Sequence, residues 1–458
     1  MSKIITNRRE FLQTIGALGA ASILADSAGP ANASAGPSEQ KLALAGGTPV
    51  RKTPLHSQPY GPQFYDDVEK QELLDVLASK YPFRWWGGKS KVLQFEQAYA
   101  AHIGVKHAIA VTSGTTALYT AMAALEIGPG DEVIIPAWTW YADYDAIVLS
   151  GALPVFAEID ESFSIDPNDI EPRITPRTKA VIPSHLQGCP ADMDLILEIA
   201  RRHKLRVVED CAQCAGGRYK GKYVGTMGDI AINSFQLSKT ITSGEGGAVV
   251  TNDATLFERA VRFHDVGSLR SPYLEAFKGG LLAAFAACNF RMNEFTGAVL
   301  HGQLQKLETI CGRLRANARK VRRGIEDLPG LKLRKSPDPE GDLGVGVFLD
   351  LGSRARRDKY LRAMAAEGVP ASPPGGSVIL PVDKRIESKA TIHPAWPSFQ
   401  SPEGKAIRYG RECCPRTLDI LGRHAGVMLD PTFRDDDLKD IIRAVRKVYL
   451  AMRPAARV

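Results

Sequence analysis

Along most of the chain, short apolar runs alternate with stretches whose apolar residues recur at helical spacing. His107–Thr112 is an apolar run of strand length, and Thr116–Leu125 then repeats apolar residues every three or four positions. Glu132–Pro136 predicts a buried strand, followed by a helix from near Asp143. Pro154–Ile159, Ala180–Pro183 and Val207–Glu209 continue the strands, with a helix at Leu195–His203 between the last two. Ile230–Phe235 and Gly247–Thr251 add two more. Units in this order predict a mostly parallel sheet with helices on both faces. Beyond about Leu300 come long charged helices, the Pro/Gly-rich Ser372-Pro373-Pro374-Gly375-Gly376, and a final helix over Asp435–Met452. The expected organisation is a large α/β domain over residues 36–310, opened by an N-terminal arm, and a smaller α+β domain over residues 311–458.

Composition changes this picture little. Of 458 residues, 44% are apolar and 24% charged, the balance of a globular chain rather than a disordered or fibrous one. The 58 basic and 51 acidic side chains leave a net charge of +7, without the dense basic run of a nucleic-acid binder. Seven sparse cysteines imply no disulfide framework. The N-terminus changes the picture more. Asn7-Arg8-Arg9-Glu10-Phe11-Leu12, a Gly/Ala-rich apolar stretch over Thr14–Ala25, and Ala31-Asn32-Ala33-Ser34-Ala35 stand in the order of a twin-arginine export signal over residues 1–35. An ordinary signal peptide or an anchor is the alternative, although the apolar stretch falls short of the ~20 residues a spanning helix needs. The twin-arginine route carries folded cargo, so the expected location is periplasmic or exported, or cytoplasmic if the signal is misread.

Four constellations carry candidate chemistry. Thr112-Ser113-Gly114-Thr115-Thr116 joins a strand directly to a helix, where free N–H groups, hydroxyls and a glycine can cradle a phosphate. A plain N-cap uses the same residues. Glu209-Asp210-Cys211-Ala212-Gln213 places an acidic pair at the carboxyl end of a strand, where ligands of open α/β sheets gather. A carboxylate there can keep a ring nitrogen protonated, or simply cap a helix. Cys211 and Cys214 form one CxxC pair, which without a second pair makes no four-ligand metal site, and no metal is expected. Ser234-Phe235-Gln236-Leu237-Ser238-Lys239, closed by Gly244-Glu245-Gly246-Gly247, sets a lysine just past a strand end, and burial there would make its amine nucleophilic. Asn289-Phe290-Arg291 could contact an anion or cap the next helix. Together with an aromatic from Trp138-Thr139-Trp140-Tyr141, these are the parts of a pyridoxal phosphate site.

The sequence resembles the DegT/StrS sugar and cyclitol aminotransferases, pyridoxal 5'-phosphate enzymes of fold type I, the aspartate aminotransferase type. The likeness runs from LALAGGTPVR at Leu42 to the C-terminal helix and is most specific in SFQLSKTITSGEGGAVVTND, residues 234–253. It implies that Lys239 condenses with the cofactor aldehyde and shuttles the proton of transamination. It implies that Asp210 pairs with the pyridine nitrogen, Gln213 lies near the ring hydroxyl and Trp140 stacks on the ring. Gly114, Thr115, Thr116 and Ser234 would bind the phosphate. Asn289 would reach the phosphate of a neighbouring subunit, which implies a homodimer with shared active sites. FRWWGGKSKV (83–92), EDCAQ (209–213) and CPRTLDIL (414–421) lean toward cyclitol enzymes. The expected reaction moves an amino group from glutamine or glutamate to a keto-sugar or a scyllo-inosose-like keto-cyclitol, by a ping-pong route. A nucleotide-sugar aminotransferase and an exported cofactor-binding protein without turnover are the alternatives. A dehydratase offshoot would carry His in place of Lys239, and a dinucleotide enzyme would need G-x-G-x-x-G where Ser-Gly-Thr-Thr stands.

Overall fold

Strands that are apolar on both faces belong in the middle of a sheet with helices above and below it. In the computed structural model, which describes residues 41–452 except residue 87 and residues 278–281, that is where they lie. The export signal expected over residues 1–35 falls outside the described residues. Helices α1 (Asp67–Ser79) and α2 (Lys91–Ile103) precede strand β1 (His107–Val111), and α3 (Gly114–Ala124) follows it. Next come β2 (Glu132–Pro136), the two-residue β3 (Trp138–Thr139), α4 (Tyr141–Leu149), β4 (Leu153–Ala157), β5 (Thr178–Val181) and α5 (Met193–His203). Then follow β6 (Arg206–Asp210), β7 (Ile230–Ser234), β8 (Gly247–Thr251) and α6 (Ala254–His264).

The seven long strands form one sheet in the order β1-β8-β7-β6-β5-β2-β4. All are parallel except β8, which runs back between β7 and β1. The carboxyl ends of β1, β2, β6 and β7 therefore open on the same edge. The return of β8 is tightly fitted: a Cβ on Gly247 would stand 2.3 Å from the backbone oxygen of Ser113.

The rest of the chain comprises α7 (Glu294–Leu304), α8 (Leu307–Arg323), β9 (Gly346–Asp350), α9 (Arg354–Ala366), β10 (Val378–Ile379), α10 (Pro415–Arg423), β11 (His424–Met428) and α11 (Asp435–Ala451). Strands β9 and β11 pair antiparallel and share a core with α9, α11 and the end of α8, through Val347, Tyr360, Val427, Ile441 and Val321. Helix α8 crosses the boundary expected at residue 310. Its first half (Leu307, Ile310, Leu314) packs on the large sheet's core, and its second half (Ala318, Val321) on the smaller one. The chain also returns to the large core after β9. Leu380, Ile386, Phe399 and Tyr409 pack there, and β10 pairs antiparallel with β3. Among the described residues no helix is long and apolar enough to cross a membrane.

Candidate active site

Alternation along β6 separates the acidic pair. Glu209 is fully buried and accepts N–H groups of Gly225, Met227 and Gly228 at 2.8, 2.7 and 2.6 Å. His185 is fixed in the same knot, its Nδ1 accepting the Ala191 N–H at 3.0 Å and its Nε2 lying 3.2 Å from Glu209. Glu209 therefore holds a turn, and its donors keep its carboxyl low despite burial. His185, Glu209 and Cys211 stand within metal-ligand reach of one another, but these bonds already occupy the imidazole and the carboxylate. Cys211 and Cys214 are buried free thiols pushed well above their usual range by burial.

Asp210 faces the other way, into a cavity of about 470 Å³ at the carboxyl edge of the sheet. The cavity also meets Gly114, Thr115, Trp140, Gln213, Ser234 and Lys239. Helix α3 starts at its wall with a reciprocal cap, in which the Thr116 N–H donates to Ser113 Oγ (3.1 Å) and the Ser113 N–H to Thr116 Oγ1 (2.9 Å). Thr116 is thus spent on the cap and does not line the cavity. Among the described residues the N–H groups of Gly114 and Thr115 have no protein acceptor, and they stand at the positive end of the helix. Ser234 lies against them so closely that a Cβ on Gly114 would come 2.7 Å from its own Cβ. This end of the cavity suits an anion.

At the other end stand Lys239 and Asp210. The turn after β7 is braced by Phe235 N–H to Gly246 O (2.8 Å), Leu237 N–H to Gly244 O (3.0 Å) and Thr242 Oγ1 to Phe235 O (2.8 Å). Lys239 is half-buried there, and its amine has no hydrogen-bond partner among the described residues. Burial lowers its pKa, partly offset by the charge of Asp210. Burial raises the carboxyl of Asp210, opposed by the Ala212 N–H at 2.8 Å and by Lys239. Trp140 also lines the cavity and leaves 51% of its surface open. Asn289 is exposed and does not line the cavity; its Oδ1 accepts from its own segment, the Arg291 N–H, at 3.4 Å.

The sequence profile described as the DegT/DnrJ/EryC1/StrS aminotransferase family matches residues 65–374. The chain belongs to this aminotransferase family. It is 32% identical over 435 residues, 89% of this chain and 97% of the relative, to an L-glutamine:2-deoxy-scyllo-inosose aminotransferase of Micromonospora echinospora. It is 42% identical over 277 residues, 60% of this chain and 70% of the relative, to the dTDP-3-amino-3,4,6-trideoxy-alpha-D-glucose transaminase of Streptomyces venezuelae. Among solved structures it is similar to 3-amino-5-hydroxybenzoic acid synthase, with a TM-score of 0.72 and 28% identity, covering 87% of this chain and 99% of that one.

Parts of this aminotransferase site were not singled out in the sequence. Residues 372–376 look like a generic turn, yet they wall the site. Gln213 Nε2 donates to Gly376 O (2.8 Å) and Ser377 Oγ (2.9 Å), and Gln187 Nε2 donates to Gly375 O. Beyond this loop a second chamber of about 410 Å³ opens on Lys239, bounded by Ser57, Gln58 and Tyr60 from the N-terminal arm. The signals available in the sequence were the glycines, Gly188 beside Gln187 and the Gly375-Gly376 pair; in the structure Gln187, Gly188 and Gly376 have φ of +52°, +70° and +74°. Asp143, buried in the first turn of α4 beside Asp210, gave none beyond its charge.

Proposed function

We propose that this aminotransferase works with pyridoxal 5'-phosphate and moves an amino group from glutamine, or glutamate, to a ketone on an uncharged cyclitol or sugar. The residues fit the cofactor: free N–H groups and Ser234 for the phosphate, the open indole of Trp140 for the ring, Asp210 for the ring nitrogen, Lys239 for the aldehyde. Bound there, the cofactor supplies an aldehyde that takes up the amino group and a ring that spreads the electron pair of a broken C–H bond. Lys239 Nζ, its pKa already lowered, takes the proton from the donor carbon and returns one to the acceptor carbon. Asp210 holds the proton on the ring nitrogen. Trp140 keeps water from one face, and Gln213 anchors the loop that separates the two chambers.

The single observation that carries the substrate class is the second chamber. Among its described lining residues Lys239 alone is charged; the polar remainder are hydroxyls and amides, including Ser57, Gln58, Tyr60, Gln187 and Ser372. Such a wall suits the hydroxyls of a polyol, whereas diphosphates are ordinarily met by arginine or lysine. The test supplies glutamine with either 2-deoxy-scyllo-inosose or a dTDP-keto-sugar to the cofactor-loaded protein and follows products by mass spectrometry. Amination of the cyclitol is expected; amination of the nucleotide sugar alone overturns the reading. The proposal includes a homodimer in which Asn289 of the partner subunit completes the phosphate site. Its exposure, with that of Leu77, Tyr81, Trp86 and Phe295, supports this. It also includes export by residues 1–35.

A further inference from the structure

Behind Asp210 lies a second acid with no part in the reaction described above. Asp143 is fully buried in the first turn of α4, and its side chain caps nothing. Its Oδ2 accepts two hydroxyls, Thr139 Oγ1 at 2.5 Å and Ser184 Oγ at 2.8 Å. Its Oδ1 is buried and, among the described residues, receives no donor. Among the described residues no lysine, arginine or histidine forms an ion pair with it, while the carboxyl of Asp210 lies within hydrogen-bonding reach. These are surroundings fit for a neutral group: two hydroxyl donors at one oxygen, none at the other, and a second carboxyl close by. A bare carboxylate oxygen there would be buried, unpaired and next to a second carboxylate, which costs several kcal/mol or more. A proton on Oδ1 removes that cost.

We propose that Asp143 is a neutral carboxylic acid that donates its Oδ1 proton to Asp210 and thereby positions the Asp210 carboxyl for the ring nitrogen. The positioning half rests on the cofactor reading above; the neutral acid does not. The groups bearing on the pair are Lys239 from the turn after β7 and His185 from the segment after β5, both of which act on Asp210. Burial and the neighbouring Asp210 both raise the carboxyl of Asp143 well above its usual range. Its protonated form is therefore favoured in the folded chain, and stability held at low pH is lost as pH climbs above about 4, where the unfolded residue ionises.

Two measurements test this. In the apoprotein, thermal midpoints of wild type and Asp143→Asn are compared from pH 4 upward. The asparagine matches the hydrogen-bond pattern and does not titrate, so its advantage should grow as pH rises. A difference independent of pH overturns the neutral acid. In the second, pyridoxal phosphate dissociation is measured by equilibrium dialysis. Asp143→Asn should bind within about threefold of wild type and Asp143→Ala at least tenfold more weakly, since only alanine lacks a donor to Asp210. Equal binding by alanine, or equal loss in both, overturns positioning. If the wild-type protein itself binds no pyridoxal phosphate, the cofactor reading falls and the positioning half with it, while the apoprotein midpoints still decide the neutral acid.

Discussion

An amine that is half-buried, without a hydrogen-bond partner among the described residues and of lowered pKa is a cost to the fold that its chemistry must justify. For a lysine with a depressed folded pKa, the penalty is present below that pKa and disappears toward pH 10.5, where the unfolded residue also loses its proton. Lys239→Met should therefore raise the apoprotein's thermal midpoint near neutrality, by a margin that shrinks as pH approaches 10.5. Turnover should meanwhile fall by about 10²–10⁴-fold, the usual worth of a positioned proton carrier. Scanning calorimetry against pH and a glutamine-dependent assay check the two halves. Gly114 makes a different demand. A methyl group there meets Ser234 Cβ at 2.7 Å, so Gly114→Ala should cost about 1–3 kcal/mol by denaturant titration and loosen cofactor binding.

Elements, more than residues, divide what could be foreseen from what could not. The strands and helices of the large sheet are legible because burial on both faces writes long apolar runs, and the Lys239 segment because a lysine before a glycine-dense turn has no packing purpose. The wall formed by residues 372–377 is not legible: Pro-Pro-Gly-Gly specifies a bend but not what the bend touches, and its partners Gln187 and Gln213 are distant in sequence. Asp143 is hidden for a similar reason, since one acid in an apolar helix start looks like ordinary helix-end chemistry until Thr139 and Ser184 are seen to turn it inward. The expected division at residue 310 follows a change in pattern, whereas α8 packs through that point on both cores. From the loop's anchorage, Gln213→Ala should raise KM for the acceptor more than it lowers kcat, and steady-state kinetics with varied acceptor will show it. From α8, Leu314→Ala and Val321→Ala, one on each core, should each lower a single unfolding transition rather than split it in two.

For the whole molecule, the proposed dimer makes a complementation test decisive. Mixing Lys239→Ala and Asn289→Ala subunits should restore part of the activity that neither has alone, because one composite site regains both residues. A turning-over monomer would contradict it. Both chambers also tie distant parts of the chain together. Gln213 is bonded to Gly376 across 163 residues, and the Gln58 N–H donates to Asp430 across 372. A ribosome adding roughly 5–20 residues per second needs on the order of ten seconds to travel from Lys239 to the loop that walls it, and longer to reach Asp430. Until then Lys239 stands without the wall that residues 372–377 supply. Under the proposed function the wall of the site is therefore finished last, by a part of the chain that supplies few of its reactive groups.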